Sequence, residues 1–273
     1  MKLLAIAERE IKLGFRNPWS YSFLGLFTLF STALLLIQSQ GEIGGYTHTT
    51  GTMLNLILYL LPLMALLLGS FSVTAEKEEG GWHLLATYPL SSPTLLWGKY
   101  LGLTVVLFTI ISFGYGFSGL LGFLTGKSFT PRDLMLYFIF SMLIVVIFLG
   151  IAILLGALSL NRWQALTIGV GLWFLLILGW PTLLVSVLGF LPYPWIKPVL
   201  EGVSLLNPAE FIRIFVVMKL GGGSVFGPEY YQWIRWIDSS STANFAFVLI
   251  CLLWIGLTVS LAVWIWERGR NHG

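Results

Sequence analysis

Six long apolar runs dominate the pattern of hydrophobic and polar positions along the chain. They cover residues 19–37, 52–73, 100–124, 134–160, 164–190 and 243–266. A bilayer core about 30 Å thick needs roughly 20 apolar residues in a helix to cross it. Each run stays apolar well beyond the ~10 residues of a barrel strand, so the pattern predicts helices. We therefore expect an all-α integral membrane protein with six transmembrane helices.

A shorter amphipathic segment precedes the first apolar run. Its apolar residues recur at helical spacing, and most of its charged residues lie elsewhere on the helical wheel. The apolar set is Leu3, Leu4, Ala7, Ile11 and Phe15. This pattern predicts an interfacial helix over residues 1–18 that lies on the membrane surface. The six runs then form one transmembrane domain over residues 19–266, and residues 267–273 form a tail.

Composition supports a membrane protein, and the basic residues orient it. The chain has 57% hydrophobic and 10% charged residues, a formal net charge of +3 and a mean hydropathy of +0.87. So few polar side chains cannot cover a water-soluble protein of this length. Lys and Arg concentrate before the first run, between the second and third, and after the last. By the positive-inside rule, both termini and the loop 74–99 are cytoplasmic and the long loop 191–242 is external. The positive charge therefore indicates topology and not nucleic-acid binding.

Small residues and prolines predict features within the helices. Gly98 and Gly102 lie four residues apart, a spacing that allows another helix to approach closely. Pro181 lies inside the fifth run and is expected to split it into a span and a shorter helix. Three prolines after that run predict an irregular start to the external loop. They are Pro192, Pro194 and Pro198.

The residue types missing from the apolar runs exclude several functions. The six runs contain no Asp, Glu, Lys, Arg or His, the residues that ion-coupled carriers and intramembrane enzymes need. The single cysteine, Cys251, and scattered methionines do not form the sulfur cluster of a soft-metal site. There is no G-x-x-x-x-G-K-[ST] phosphate-binding motif. We expect a protein that is not an enzyme, with no cofactor or metal of its own, whose energy comes from a separate ATPase.

The loop between the second and third runs carries the most specific pattern. Its acidic start complements a helix dipole, and a short helix is expected to follow until Pro89 ends it. The loop resembles E-x-E-x-G-T-x-x-x-L-L-x-x-P-[LIV]-[ST]-R-x-x-[LI]-x-x-G-K, which is common in type-2 ATP-binding-cassette (ABC-2) permeases. The matching residues are Glu76, Glu78, Gly80, Leu84, Leu85, Pro89, Leu90, Ser91, Gly98 and Lys99. Ser92-Pro93 replaces the Arg of the pattern.

The resemblance implies how the chain would work. In this family, the permease lies in the cytoplasmic (inner) membrane, and its first cytoplasmic loop docks on a separate ATPase subunit. That subunit holds ATP and Mg. Residues 76–89 are then expected to be the coupling element. The expected ATPase-coupling residues are Glu76, Glu78, Glu79, Gly80, Trp82, Leu85 and Pro89. Of these, Glu78, Glu79 and Trp82 are expected to contact the ATPase directly.

Within the family, the chain is most similar to the permease subunit of the nitrous-oxide-reductase maturation system. The similarity rests on residues 87–90, 171–174 and 205–213. It implies a homodimer with two ATPase subunits, an external β-helical accessory protein, and delivery of a sulfur species for copper–sulfide cluster assembly. Asn207, Pro208 and Arg213 are expected to shape the external loop for a partner. A local alternative for the first two is a helix N-cap and a first-turn proline.

Two other functions share the same coupling residues. One is a generic ABC-2 exporter of a drug, a peptide or an ion. The other is a non-transporting membrane scaffold whose ATPase partner drives a signal to an external protein. Only the external loop would differ between the exporters, and a flux measurement would separate the scaffold from both.

Overall fold

The computed structural model describes residues 2–38, 48–79, 91–126, 131–223 and 241–272. Within these ranges the regular structure is helical and contains no strand. A π-helical segment, Phe174–Gly179, joins the sixth and seventh helices. The helices are α1 (Lys2–Arg16), α2 (Pro18–Gln38), α3 (His48–Glu78), α4 (Ser92–Thr125), α5 (Pro131–Leu158), α6 (Arg162–Trp173), α7 (Trp180–Gly189), α8 (Tyr193–Leu206), α9 (Pro208–Lys219) and α10 (Ser241–His272).

The prediction of six membrane-crossing helices in an all-α protein is confirmed. Within the part of the chain that the structure describes, six helical stretches are long and apolar enough to cross a membrane. They are Pro18–Leu36, Thr50–Glu78, Ser92–Thr125, Pro131–Leu158, Arg162–Gly189 and Thr242–Gly269. The α3 and α5 helices pack most extensively against each other and are the most buried, so they form the centre of the bundle. Much of Arg162–Gly189 and of α10 is exposed on the outside of the protein.

Two spans extend further than the apolar runs. The predicted acidic helix start at residues 76–78 is wrong, because these residues are the last turn of α3. The α4 helix begins at Ser92, well before the predicted position 100. The helices therefore carry Glu76, Lys77, Glu78 and Lys99 in their end turns, and only the middle parts of the spans lack charge. The rest of the predicted loop helix, residues 80–90, lies outside the described residues.

The fifth span is interrupted as the proline predicted. Residues 174–179 form a π-helical turn immediately before α7, whose first turn holds Pro181. A proline has no N–H to donate to the preceding turn, and a wider turn accommodates the missing bond. The helical run nevertheless continues from Arg162 to Gly189.

The predicted irregular start of the external loop is wrong. Residues 193–206 form α8, with Pro194 in its first turn and Pro198 inside it. A first-turn proline is tolerated because its N–H would have no helical partner there. Asn207 then separates α8 from α9, which buries Phe211 and Ile212 against the end of the bundle where α5 begins.

The α1 helix packs along the first half of α4, at the end of the bundle where α3 and α5 terminate. We call this the α1 end. Its buried residues are Ile6, Ala7, Glu10 and Gly14, a different face from the predicted apolar stripe, of which only Ala7 is buried. The predicted close approach at Gly98 and Gly102 is confirmed. An added Cβ would lie 2.7 Å from Ile6 at Gly98 and 2.6 Å from the Ala7 carbonyl oxygen at Gly102.

Candidate functional site

Three of the predicted coupling residues lie together at the α1 end. Glu76 and Glu78 occupy the last turn of α3, and Glu79 follows it. The other four, Gly80, Trp82, Leu85 and Pro89, lie outside the described residues. We call residues 76–79 the α3 terminus. Together with the start of α4 at Ser92, it brackets the segment 80–90.

A buried ion cluster joins the α3 terminus to α1 and α4. Lys99 Nζ lies 2.6 Å from Glu10 Oε1 and 3.1 Å from Glu76 Oε1. The Lys99 and Glu10 side chains are each only 2% exposed. Ser72 Oγ donates to the second oxygen of Glu10 at 2.7 Å. Lys99 Nζ also donates to the Ser72 carbonyl oxygen at 3.2 Å. Buried charges persist only when they are paired and hydrogen-bonded, and this cluster meets both requirements.

Arg9 closes the cluster on its exposed side. Its guanidinium donates to Glu76 Oε1 at 2.8 Å, so one carboxylate oxygen receives both Arg9 and Lys99. Burial acts to lower the pKa of Arg9. The attraction of Glu76 and its hydrogen bond, together with the attraction of Glu10 and Glu79, outweigh that effect, and the pKa of Arg9 is raised above its ordinary value. The guanidinium therefore stays charged.

Lys77 points away from that cluster and holds the end of α5. Its Nζ donates to the carbonyl oxygens of Ala157 at 2.6 Å and Ser159 at 2.7 Å. These carbonyls belong to the helix terminus, where no intrahelical donor remains. The ammonium also lies 5.3 Å from the centre of the Trp266 ring of α10, within the range of a cation–π contact.

The remaining two acids bind the start of α6. Glu78 Oε1 accepts from the Arg162 backbone N–H at 2.7 Å, and Glu78 Oε2 lies 2.9 Å from Arg162 Nε. Glu79 Oε1 is 3.3 Å from the Arg162 guanidinium. A carboxylate at a helix N-terminus is favourable because it complements the helix dipole. Both acids remain partly exposed, Glu79 more than Glu78.

A cavity of about 330 Å³ lies beside the ion cluster, between α1, α3 and the start of α6. Its lining carries three basic and three acidic side chains. They are Arg9, Lys99 and Arg162, and Glu10, Glu76 and Glu79. Balanced charges do not select a cation or an anion. No group of three or more metal-ligating side chains occurs within the part of the chain that the structure describes.

The α3 terminus links several helices of the bundle to one another. Successive residues of the α3 terminus point in different directions around the helix, so each contacts a different neighbour. Glu76 connects to α1 and α4, Lys77 to α5 and α10, and Glu78 to α6. The α3 terminus therefore connects α3 to five other helices.

The residues predicted for the external loop have local roles in α9. Asn207 caps the helix, because its Oδ1 accepts from the backbone N–H groups of Ala209 and Glu210. Its Nδ2 donates to the Leu176 carbonyl oxygen in the π-helical segment at 2.7 Å. Pro208 is the first helical residue, and Arg213 pairs with Glu210 at 2.6 Å. The alternative of an N-cap followed by a first-turn proline is thus confirmed. A contact with an external partner stays a prediction.

Two residues of the ion cluster, Glu10 and Arg9, were absent from the predicted site, and Lys99 entered only as part of the loop pattern. The available signal was the position of Lys99 between Gly98 and Gly102. Where a pair of small residues lets a neighbouring helix approach, that helix also buries the residues beside the pair. Glu10 lies three residues after Ala7 and four before Gly14, on the face of α1 that is buried.

Comparison with known proteins agrees with this architecture. The family model described as "ABC-2 family transporter protein" matches residues 4–269. Two curated relatives, both named "Probable ABC transporter permease protein NosY", are each 28% identical to the chain. They come from Stutzerimonas stutzeri and Pseudomonas aeruginosa, and the matches cover 96% of this chain and 97% of each relative. The chain belongs to the ABC-2 transporter family, as the multi-pass permease subunit of an ABC transporter.

Proposed function

We propose that this permease subunit couples ATP hydrolysis on a separate ATP-binding-cassette subunit to transport across the cytoplasmic (inner) membrane. ATP and Mg are bound by the partner, and this chain contributes no catalytic residue. The observation that carries the proposal is the α3 terminus, which brackets the loop resembling the family's coupling segment and contacts five other helices. A docked ATPase that moved residues 80–90 would thereby shift the transmembrane bundle.

The narrower proposal concerns the cargo. We infer a sulfur species that is supplied for the copper–sulfide cluster of nitrous oxide reductase, with a homodimer of this chain, two ATPase subunits and an external β-helical protein. The short matches at residues 87–90, 171–174 and 205–213 support it, as does the similarity to the two proteins named NosY. With one cysteine and six methionines, the sequence also favours a cargo other than bare copper.

Affinity purification from the native membrane tests both levels. The chain is tagged, extracted in mild detergent, and its associated proteins are identified by mass spectrometry. Recovery of an ATP-binding-cassette ATPase together with an external repeat protein is the expected result. An ATPase alone would favour a generic exporter over the maturation system. Absence of any ATPase would contradict the proposed function itself.

A signalling scaffold would recover the same ATPase, so copurification is followed by a transport assay. The purified complex is reconstituted in vesicles, loaded with ATP and Mg on the ATPase side, and assayed for movement of sulfide across the membrane. ATP-dependent sulfide movement is expected. ATP hydrolysis without sulfide movement would contradict the proposed cargo.

A further inference from the structure

The ion cluster of Arg9, Glu10, Glu76 and Lys99 is more elaborate than helix packing requires. The contact between α1 and α4 is already close, because Gly98 and Gly102 let the α1 backbone approach directly. Apolar side chains at positions 10 and 99 would fill the same space without desolvating two charges. Replacing buried ion pairs by apolar residues is often neutral for stability, so stability alone does not account for this pair.

The geometry imposed here is a three-way connection. Lys99 belongs to the first turns of α4, Glu76 to the last turn of α3, and Glu10 to the middle of α1. Lys99 Nζ reaches both carboxylates and the Ser72 carbonyl oxygen, within 3.2 Å in each case. The two helix ends that bracket residues 80–90 are therefore tied to each other and to α1 through one ammonium group.

From this arrangement we propose that Lys99 is a positioning residue that makes α1 move as one body with the ends of α3 and α4. The inference rests on the proposed function, since it names the residue through which motion of the coupling loop reaches α1. From α1 the motion would continue to α2, which is separated from α1 by Asn17 alone and packs along α4.

The test compares a buried pair with an exposed one on the same helix. The variant Glu10→Gln/Lys99→Met removes both charges of the buried pair while keeping similar volumes. The control Glu8→Gln/Lys12→Met makes the same two replacements in the exposed pair, whose atoms lie 2.7 Å apart. All proteins carry Cys251→Ser. Spin labels are placed at Leu4→Cys on α1 and Leu120→Cys on α4, both well exposed.

Distances between the labels are measured by pulsed electron paramagnetic resonance on the complex with its ATPase, with the labelled chain diluted by unlabelled chain so that each complex holds at most one labelled copy. The samples are compared without nucleotide and after trapping with ATP and vanadate. In the native chain and the control, we expect one narrow distance that trapping leaves unchanged. In the buried-pair variant, we expect a distribution about twice as wide in both states, because the packing at Gly98 and Gly102 remains but no charge pair fixes the position of α1 along α4.

Two results would overturn the proposal. One is a native distance that shifts on trapping, since α1 would then move relative to α4. The other is a buried-pair variant whose distance distribution matches that of the control. If the double variant is not recovered as a monodisperse protein, Glu10→Gln alone is measured by the same criteria. The width of the distance distribution without nucleotide can be measured on the permease without its ATPase. A failure of the proposed function would therefore appear separately, as a permease that copurifies with no ATPase.

Discussion

At the residue scale, Lys77 illustrates how one side chain stabilises a helix terminus from outside the helix. The end of α5 leaves carbonyl oxygens without intrahelical donors, and it carries the negative end of the helix dipole. Lys77 Nζ supplies two hydrogen bonds and a positive charge at that position. Its neighbour in the sequence, Glu76, has the opposite charge and faces another helix. The alternation of charge along the α3 terminus therefore follows from the different partners around it.

We predict that Lys77→Met destabilises the folded protein by about 1–3 kcal/mol, because two carbonyl groups lose their charged donor. Methionine keeps a side chain of similar length but also loses the cation–π contact of the ammonium with Trp266. The measurement is thermal unfolding in detergent, followed by tryptophan fluorescence. Lys12→Met is the control, because the Lys12–Glu8 pair is exposed and should leave the unfolding temperature unchanged. Equal effects of the two substitutions would show that the carbonyl contacts of Lys77 contribute nothing.

At the element scale, the π-helical segment and α9 depend on each other. A π turn does not pair its carbonyls as an α-helix does, and the Leu176 oxygen receives its hydrogen bond from Asn207. The same side chain caps α9 through its Oδ1. The break in the fifth span was predictable, because Pro181 is visible in the sequence. The hydrogen bond that Asn207 donates to Leu176, 31 residues away, was not predictable, because sequence patterns do not specify which distant elements meet.

We predict that Asn207→Ala destabilises the protein by about 2–4 kcal/mol, through loss of the cap and of the donor to Leu176. Asn207→Asp keeps the cap but loses the donor and places a carboxylate oxygen against the Leu176 carbonyl in a fully buried site, so its loss should be at least that of alanine. Asn161→Ala is the control, since Asn161 caps α6 at an exposed site and its side chain makes only the cap bond with the described residues. We expect about 1 kcal/mol there. Thermal unfolding of the four proteins in one detergent would give the order, and a loss at Asn207 no larger than at Asn161 would contradict the prediction.

At the scale of the whole molecule, the apolar runs were sufficient to predict the number and type of spans. Bilayer thickness sets a minimum length for any spanning helix, and the sequence displays that length directly. The ends of the spans were less predictable, because charged residues such as Glu76 and Lys99 usually mark the end of an apolar run. Here each charge has a partner on another helix, so the helices continue through the charged residues. The interaction partners, and hence the candidate site, required the three-dimensional structure.

Charge-reversal variants can separate an internal role of Glu78 and Glu79 from contact with the ATPase. Reversal of both charges, Glu78→Arg/Glu79→Arg, places three arginines together at the start of α6. That variant should recover about tenfold less ATPase on affinity purification, as expected when charged contacts are reversed. Loss of recovery alone is ambiguous, because repulsion from Arg162 would also displace the α3 terminus.

Adding Arg162→Glu narrows the ambiguity, because the triple variant restores the side-chain ion pairs with the opposite sign and lacks only the hydrogen bond from the residue 162 backbone N–H to Glu78. If the carboxylates contact the ATPase, recovery stays low in the triple variant. Glu8→Arg, an exposed charge reversal on α1 at the same end of the bundle, should leave recovery unchanged. Full recovery in the triple variant would assign Glu78 and Glu79 to the internal connection between α3 and α6. The ATPase contact would then lie elsewhere on the chain.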